Sequence, residues 1–535
     1  MNSQDRPNIL WISLEDTTPR FGCYGDPIAR TPNIDRLAAG GCRFPNAFST
    51  AGVCAPSRSA IITGMYQTSI GTHHMRTGHT NRNTPDMPTP YSAVLPHYVK
   101  TFTEYLRAAG YYCTNNNKTD YQFTPPITAW DDNSNQGHWR NREEGQPFFS
   151  VFNPTVTHES GMWDRDDRPI NTNPDDVKLP PYLPDTPKAR EALARQYDNL
   201  ATSDARVGEL LDQLEEDGLA ENTIVFLWSD HGEGLPRGKR WPYDAGIRIP
   251  LIVRWHGEIT PNTDSDQLVS LIDLGPTVLS LCGVQVPQHI QGQPFLGPHK
   301  VERDYIFATR DRYDESYDMI RAVRDKKYKY IRNYYPDKPY LLWIPYRNRH
   351  PVMQEMWRLY AEDKLVGDQL TMFQYPRPTE ELYDVENDKF ELSNLAEDAS
   401  HADVLERMRN TLAEWQSTFG DMGDISEEQM KAKWYPNGEQ PQTASPIFIP
   451  INASNPGRQP AHENGEWEEP MLLQLHCSTQ GASIAYTTTE QGEDVHWKLY
   501  TEPLRLPKGE TTIRTKAIRI GYKESGENTL QVKVL

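Results

Sequence analysis

Basic residues are the minority charge in this 535-residue chain: 55 Lys and Arg stand against 74 Asp and Glu, giving a formal net charge of -19. A protein that tracks nucleic-acid phosphates carries a basic face. No nucleic-acid partner is therefore expected, and an anionic ligand has to be met by a local basic pocket. Cysteine is scarce as well. Cys23, Cys42, Cys54, Cys113, Cys282 and Cys477 are scattered with no C-x-x-C pair, which excludes a disulfide framework and leaves most of them as small buried hydrophobes. Long apolar runs are missing too, and nothing approaches the ~20 apolar residues of a membrane-spanning helix. The start, MNSQDRPNILWISLED, lacks a basic segment followed by a long apolar one, so it does not read as an export signal. As it stands the chain reads as cytoplasmic; as a mature form it would be periplasmic or secreted.

What is present is an alternation of short apolar runs and amphipathic stretches. PNILWISLED reads as a buried strand that delivers two carboxylates at its C-terminal edge, and TPNIDRLAAGG as a short helix with a Thr cap, an early Pro and a Gly stop. The pattern repeats through TFTEYLRAAG, PFFSVFNP, the long KAREALARQYDNLATSDARVGELLDQLEEDG, TIVFLWSDHGE, IRIPLIVRW and SLIDLGPTVLSLCG. Such alternation predicts an α/β domain with a large, mostly parallel or mixed sheet over residues 1–300. Ligands of such sheets bind beyond the carboxyl ends of the strands, where Asp16, His158 and Asp230 are expected. Residues 301–435 change texture to alternating strands and a helix, HADVLERMRNTLAEWQSTF, which predicts a smaller antiparallel sheet with a packing helix. Residues 436–465, rich in Pro, Asn, Gln and Gly, read as a linker. Residues 466–535, with short alternating segments, read as a small β-sandwich.

Cys54 stands at the mouth of a predicted helix in AGVCAPSRSAIITGMY, with Arg58 a turn later. A lone cysteine is ordinarily a core residue; at a helix N-terminus beside an arginine it is equally placed for an activated thiolate. The string supports a third reading. CAPSR resembles the C-x-P-S-R signature of the type I sulfatases, and the resemblance runs in order through PNILWISLED, TPNIDRLAAGGCRFPNAFS, CAPSRSAIITG, WSDHGE, IRIPLIVR, DLGPTVLSLCG and ELYDVENDKFELSNLA. Within that family the chain is most similar to the N-sulfoglucosamine sulfohydrolase branch and bacterial polysaccharide sulfatases.

The resemblance implies an alkaline-phosphatase-like fold and a Cys54 converted to formylglycine by a formylglycine-generating or anaerobic sulfatase-maturating enzyme. One hydroxyl of the hydrated aldehyde attacks sulfur and the other lets sulfate leave. It also implies a divalent cation held by Glu15, Asp16, Cys54, Asp230 and His231, with Ca²⁺ preferred and Mn²⁺ or Mg²⁺ as alternatives. Glu15 replaces the usual Asp, and His231 replaces the Asn usual in calcium sulfatases. Arg58, Lys118 and Lys239 match the cations that handle sulfate, His158 the general acid and Asp230 the base on the diol. Asp120 falls where a histidine is usual. For substrate contact the sequence offers His73, His74 and Arg76 in GTHHMRTG, and Arg310, Arg312, Asp314 and Glu315 in RDRYDESYD. The C-terminal module resembles the small domain appended to chitobiase-like hexosaminidases.

The expected activity is removal of sulfate from a sulfated carbohydrate, a glycosaminoglycan or algal oligosaccharide, in exo fashion. Two rivals stay open at this point: a phosphodiesterase or phosphonate monoester hydrolase on the same scaffold, and a catalytically silent glycan-binding protein.

Overall fold

The computed structural model describes residues 6–164, 167–468, 471–489 and 495–535; residues 1–5 of the opening stretch read for an export signal lie outside this set. The large sheet has eight strands: β1 (Asn8–Leu14), β2 (Cys42–Arg43), β3 (Tyr112–Asn116), β4 (Asp132–Asn133), β5 (Phe148–Phe152), β6 (Thr223–Ser229), β7 (Leu251–Arg254) and β8 (Thr263–Asp264). Their order is β8-β2-β7-β6-β1-β5-β3-β4. The strands from β6 to β4 run parallel, and β7 is antiparallel to β6. All seven residues of β1 are buried, as a central strand covered on both faces requires.

The pleat of that one strand sorts the helices into two layers. Leu10, Ile12 and Leu14 pack against Ile34 and Leu37 of the helix Pro32–Ala39 and against Leu200, Val207 and Leu211 of the helix Pro187–Glu216. Ile9 and Trp11 face the opposite way, onto Ile61 and Ile62 of Cys54–Thr63, Phe102 and Leu106 of Phe102–Ala108, and Leu274 and Val278 of Leu274–Leu281. A fully apolar strand with period-two sidedness therefore builds the three-layer α/β/α core.

The smaller sheet is antiparallel, as the alternating texture predicts. Its strands are β9 (Ile306–Arg310), β10 (Ile320–Arg324), β11 (Tyr328–Asn333) and β12 (Glu380–Asp384), paired in that order. Met408, Leu412 and Trp415 of the helix Ala402–Phe419 cover it through Phe307, Val323, Tyr330 and Leu382.

At the C-terminal end two small sheets enclose Leu473, Leu475, Ile513, Leu530 and Val532. The stretch 436–465, expected as an irregular linker, contributes to this sandwich. Its Ile447–Ile451 pairs antiparallel with Leu472–His476, and Gly465–Trp467, which begins at its end, pairs with Asn528–Val534. Pro and Asn around the five-residue IFIPI run hide a strand whose burial alternates. No helix among the described residues is long and apolar enough to cross a membrane.

Candidate active site

Four parallel strands end at one place, and the residue just past each end is polar. β1 runs into Glu15 and Asp16, β6 into Asp230 and His231, β5 into Asn153 and on to His158, and β3 into the loop carrying Lys118 and Asp120. The helix Cys54–Thr63 points its first residue at the same spot, and its N-cap, Val53, supplies no side-chain bond to the first turn. Asp16 holds a left-handed backbone at φ 48°, a conformation that costs a non-glycine residue about 1–3 kcal/mol and is kept where the surroundings enforce it.

The charges at this junction neutralise one another in pairs. Arg58 donates from Nε to Asp230 Oδ2 at 2.9 Å and from Nη1 to Asn153 Oδ1 at 2.9 Å, with Nη2 3.5 Å from Glu15 Oε1. Lys118 is ion-paired to Glu15, and its Nζ lies 3.3 Å from Asp120 Oδ2. Lys239 Nζ reaches Asp16 Oδ2 at 2.7 Å, Glu159 Oε1 at 3.2 Å and His158 Nε2 at 3.2 Å. Burial pushes the Asp230 carboxyl up, but Arg58 and His231 outweigh it and bring it to about 2. Burial likewise raises Asp16, against Lys239 and His158, which win and hold it well below the usual carboxylate range. The Cys54 thiol, pushed up by burial, is drawn below its ordinary value by Lys118 and Lys239. For His158, burial and Lys239 push the pKa down, while Asp16 and the Cys54 sulfur push it up and prevail.

The donor atoms fit a divalent cation. Cys54 Sγ lies 3.4 Å from His231 Nε2 and 4.0 Å from Asp16 Oδ1, and His231 Nε2 is 2.9 Å from Asp16 Oδ1 and 3.8 Å from Asp230 Oδ1. The Nδ1 of His231 is committed to the Gly232 carbonyl at 3.0 Å, so a neutral ring presents the lone pair of Nε2 to the cluster, the arrangement usual for a metal-binding imidazole. Burial would depress the His231 pKa, yet Asp230 and Asp16 raise it to about 10. The negative charge that raises it is the charge a cation would meet in the proton's place. Glu15 stands apart from this convergent set: its carboxylate is engaged by Lys118 and Arg58.

Three residues that the sequence did not single out hold Lys239 in place. Arg237 (φ 68°) and Arg240 (φ 84°) flank it with left-handed backbones. The Arg237 guanidinium stacks 3.8 Å over the Tyr243 ring and donates to the carbonyls of Phe390 and Glu391. Arg240 makes a bidentate pair with Glu159 at 3.0 and 2.7 Å. The adjacency of Arg240 to Lys239 in GKRW, and of Glu159 to His158 in THES, was the available signal.

Above the floor opens a cavity of about 740 Å³, with Cys54, Lys118, Asp120 and His158 among its lining and Arg76, Tyr91, Ser92, Tyr435 and Gln440 on its walls. Arg76 stacks 4.4 Å over Tyr346 and pairs with the buried Asp314 at 2.8 Å. Glu315 accepts from Asn81 at 2.7 Å. His73, His74 and Arg312, expected at the substrate, do not line the cavity. Arg312 is buried with every branch engaged, by Glu427 at 2.6 Å twice and by the carbonyls of Met75 and Asp314 at 2.7 Å. It shapes the wall from behind. His73 and His74 are buried, their rings 4.2 Å apart, and the His74 ring accepts from the Arg312 amide. Arg310 is buried over Trp241 at 4.6 Å.

Comparison with known proteins matches a family model described as sulfatase over residues 7–284, and one described as N-sulphoglucosamine sulphohydrolase, C-terminal, over residues 232–367. The chain belongs to the sulfatase family. Over 97% of its length, and 90% of the relative's, this sulfatase is 42% identical to an ulvan-active sulfatase of Formosa agariphila. It is 28% identical to human N-sulphoglucosamine sulphohydrolase over 76% of this chain and 89% of that protein. Its fold matches a solved 2-O GAG sulfatase with a TM-score of 0.60 at 20% identity, covering 78% of this chain and 93% of that one. The alkaline-phosphatase-like architecture and a sulfuric ester hydrolase activity follow.

Arg240→Met leaves Glu159 buried without its bidentate partner. The expected cost is about 3–5 kcal/mol, read as a lower urea midpoint with an unchanged slope.

Proposed function

We propose that this sulfatase removes ester sulfate, in exo fashion, from oligosaccharides of an ulvan-type algal polysaccharide. The observation that carries the reading is the floor of the cleft. There Cys54, only 2% exposed, lies against an acidic cluster and between two lysines, at a depth that suits a chain end. The 42% identity to an ulvan-active enzyme supports the substrate class.

Asp16, Asp230 and His231, with residue 54, would hold the divalent cation, and we assign Ca²⁺ because the set is mostly oxygen. Bound there, the cation supplies Lewis-acid polarisation of sulfate oxygens, and the formylglycine made from Cys54 by a maturation enzyme supplies a hydrated aldehyde as nucleophile. The rest is done by the chain's own side chains. Lys118, Lys239 and Arg58 oppose the negative charge that grows as the sulfate bond stretches, a stabilisation larger in the transition state than in the ground state. His158 is the acid for the leaving oxygen. Its Nδ1 faces Ser160, 3.3 Å from the amide and 3.1 Å from the hydroxyl, which leaves Nε2, the nitrogen beside Lys239, to serve the leaving oxygen when the ring is protonated. Asp230, held by Arg58, takes the proton of the attacking group, and Asp120, beside Lys118 on the cleft lining, takes the place of the usual histidine as the second proton acceptor.

Four outcomes test this reading. The tryptic peptide containing Cys54, isolated from a host with a maturation system, should carry the mass change of a thiol converted to an aldehyde, one sulfur and two hydrogens lost and one oxygen gained. The enzyme should also prefer an aryl sulfate to a phosphonate ester. An unmodified thiol with no turnover points instead to a silent binding protein. After chelation, Ca²⁺ alone should restore activity; restoration by Mn²⁺ and not Ca²⁺ overturns the metal assignment. His158→Ala should lower turnover of saccharide sulfates by about 10²–10⁴-fold while sparing activated aryl sulfates, whose leaving group needs no proton. Equal losses on both remove His158 from the acid's role.

A further inference from the structure

The distal wall of the cleft is built from two segments far apart in sequence, and the C-terminal sandwich grips both. Ser92 and Tyr435 face the cavity together: the Ser92 amide donates to the Tyr435 hydroxyl at 2.9 Å, and that hydroxyl returns a bond to the Ser92 carbonyl at 3.2 Å. Gln440, also on the wall, donates from Nε2 to the carbonyl of Gly521 at 2.8 Å. Gly521 belongs to a turn of the sandwich, residues 519–523, closed by the Tyr522 amide on the Arg519 carbonyl at 2.9 Å.

This turn is wedged rather than merely adjacent. On one side it zips to the chain that follows Gln440. Lys523 donates to the Pro441 carbonyl at 2.8 Å, Thr443 donates back to Lys523 at 3.0 Å, and the Arg519 amide bonds Thr443 Oγ1 at 3.1 Å. On the other side it meets the segment that carries Ser92. Gly521 has φ 90°, and a Cβ there would lie 2.3 Å from the Ala93 carbonyl oxygen and 2.5 Å from Val94 Cα. Only glycine satisfies both the backbone and the contact. Ile520, 5% exposed, is buried in the same cluster as Tyr91, Ala93, Trp434 and Tyr435. A second anchor of the sandwich, Lys100 to the Gly481 carbonyl at 2.6 Å and Ser483 Oγ at 2.7 Å, fixes the module against the large domain.

We propose that the 519–523 turn is a positioning element for saccharide specificity: by holding Ser92 and Gln440 at a set separation, the sandwich completes the cleft wall that meets the sugars beyond the sulfated one. The floor, with Cys54, Lys118, Lys239 and His158, lies outside its grip. This rests on the saccharide-sulfatase reading above. The module thus acts on KM for chains longer than one sugar and leaves chemistry at sulfur alone.

The test compares a small aryl sulfate, which occupies the floor, with a sulfated ulvan oligosaccharide, for the full-length matured enzyme and two variants. Gly521→Val drives the turn off Ala93; Thr443→Val is isosteric, sits away from the cleft and deletes one bond of the zip. Gly521→Val should raise the oligosaccharide KM about tenfold, equivalent to about 1.4 kcal/mol, and Thr443→Val should raise it less, in the same direction. Aryl sulfate kcat/KM should stay within about twofold in both, since a tenfold change there would itself need about 1.4 kcal/mol. If Gly521→Val does not fold, Thr443→Val decides alone. Parallel losses on both substrates, or an oligosaccharide KM that does not move in a folded variant, overturn the proposal. Failure of the unaltered enzyme to release sulfate from either substrate defeats the functional reading instead.

Discussion

Everything at the junction beyond the strand ends depends on burying opposite charges together. Glu15, Asp16, Glu159 and Asp230 are each 1% exposed or less, and Arg58, Lys239 and Arg240 are scarcely more accessible. A charge in such a place is tolerated only when paired and hydrogen-bonded, and removing one partner costs more than the pair contributes. The geometry is therefore over-determined: Lys239 is fixed by Asp16 and Glu159, Glu159 by Arg240, and Asp16 by the amide of Glu159 as well. Rigid placement of cations is what the proposed catalysis at sulfur requires, because nothing has to reorganise when negative charge develops.

The fold delivers that constraint cheaply. Parallel strands all end at the same edge, so residues distant in sequence meet without long reaches, and the apolar runs that make the strands also bury their neighbours. The loop after β6 does the harder work. It places Lys239 between two left-handed arginines, one stacked between Tyr182 and Tyr243 at 4.9 and 3.8 Å, the other locked on Glu159.

Much of this was legible in the letters. Strand-then-acid patterns such as NILWISLED and TIVFLWSDHGE located the carboxylates, and CAPSR located Cys54, because local periodicity and short motifs are sequence-local signals. What escaped depends on contacts across the chain. Arg312 reads as a sugar ligand in RDRYDESYD, but Glu427, 115 residues away, occupies it. His73 and His74 carry no mark that distinguishes a buried imidazole from an exposed one. Glu15 sits beside Asp16 in sequence yet turns to Lys118 and Arg58. The strand Ile447–Ile451 was masked by composition, and the helix Pro351–Ala361, capped by the His350 ring, lay in a segment whose aromatics blurred its period.

The sparing use of basic residues has a physical corollary. With a net charge of -19 and Arg58, Lys118 and Lys239 withdrawn into the floor, the body of the molecule repels a polyanion at distances beyond contact, while the floor attracts one only after entry. Dissolved salt shortens the reach of the repulsion, with a Debye length of about 8 Å at physiological strength, far more than it weakens buried pairs. Encounter with a sulfated polymer is thereby favoured in brine over fresh water, and a spent chain is pushed off rather than retained along the surface.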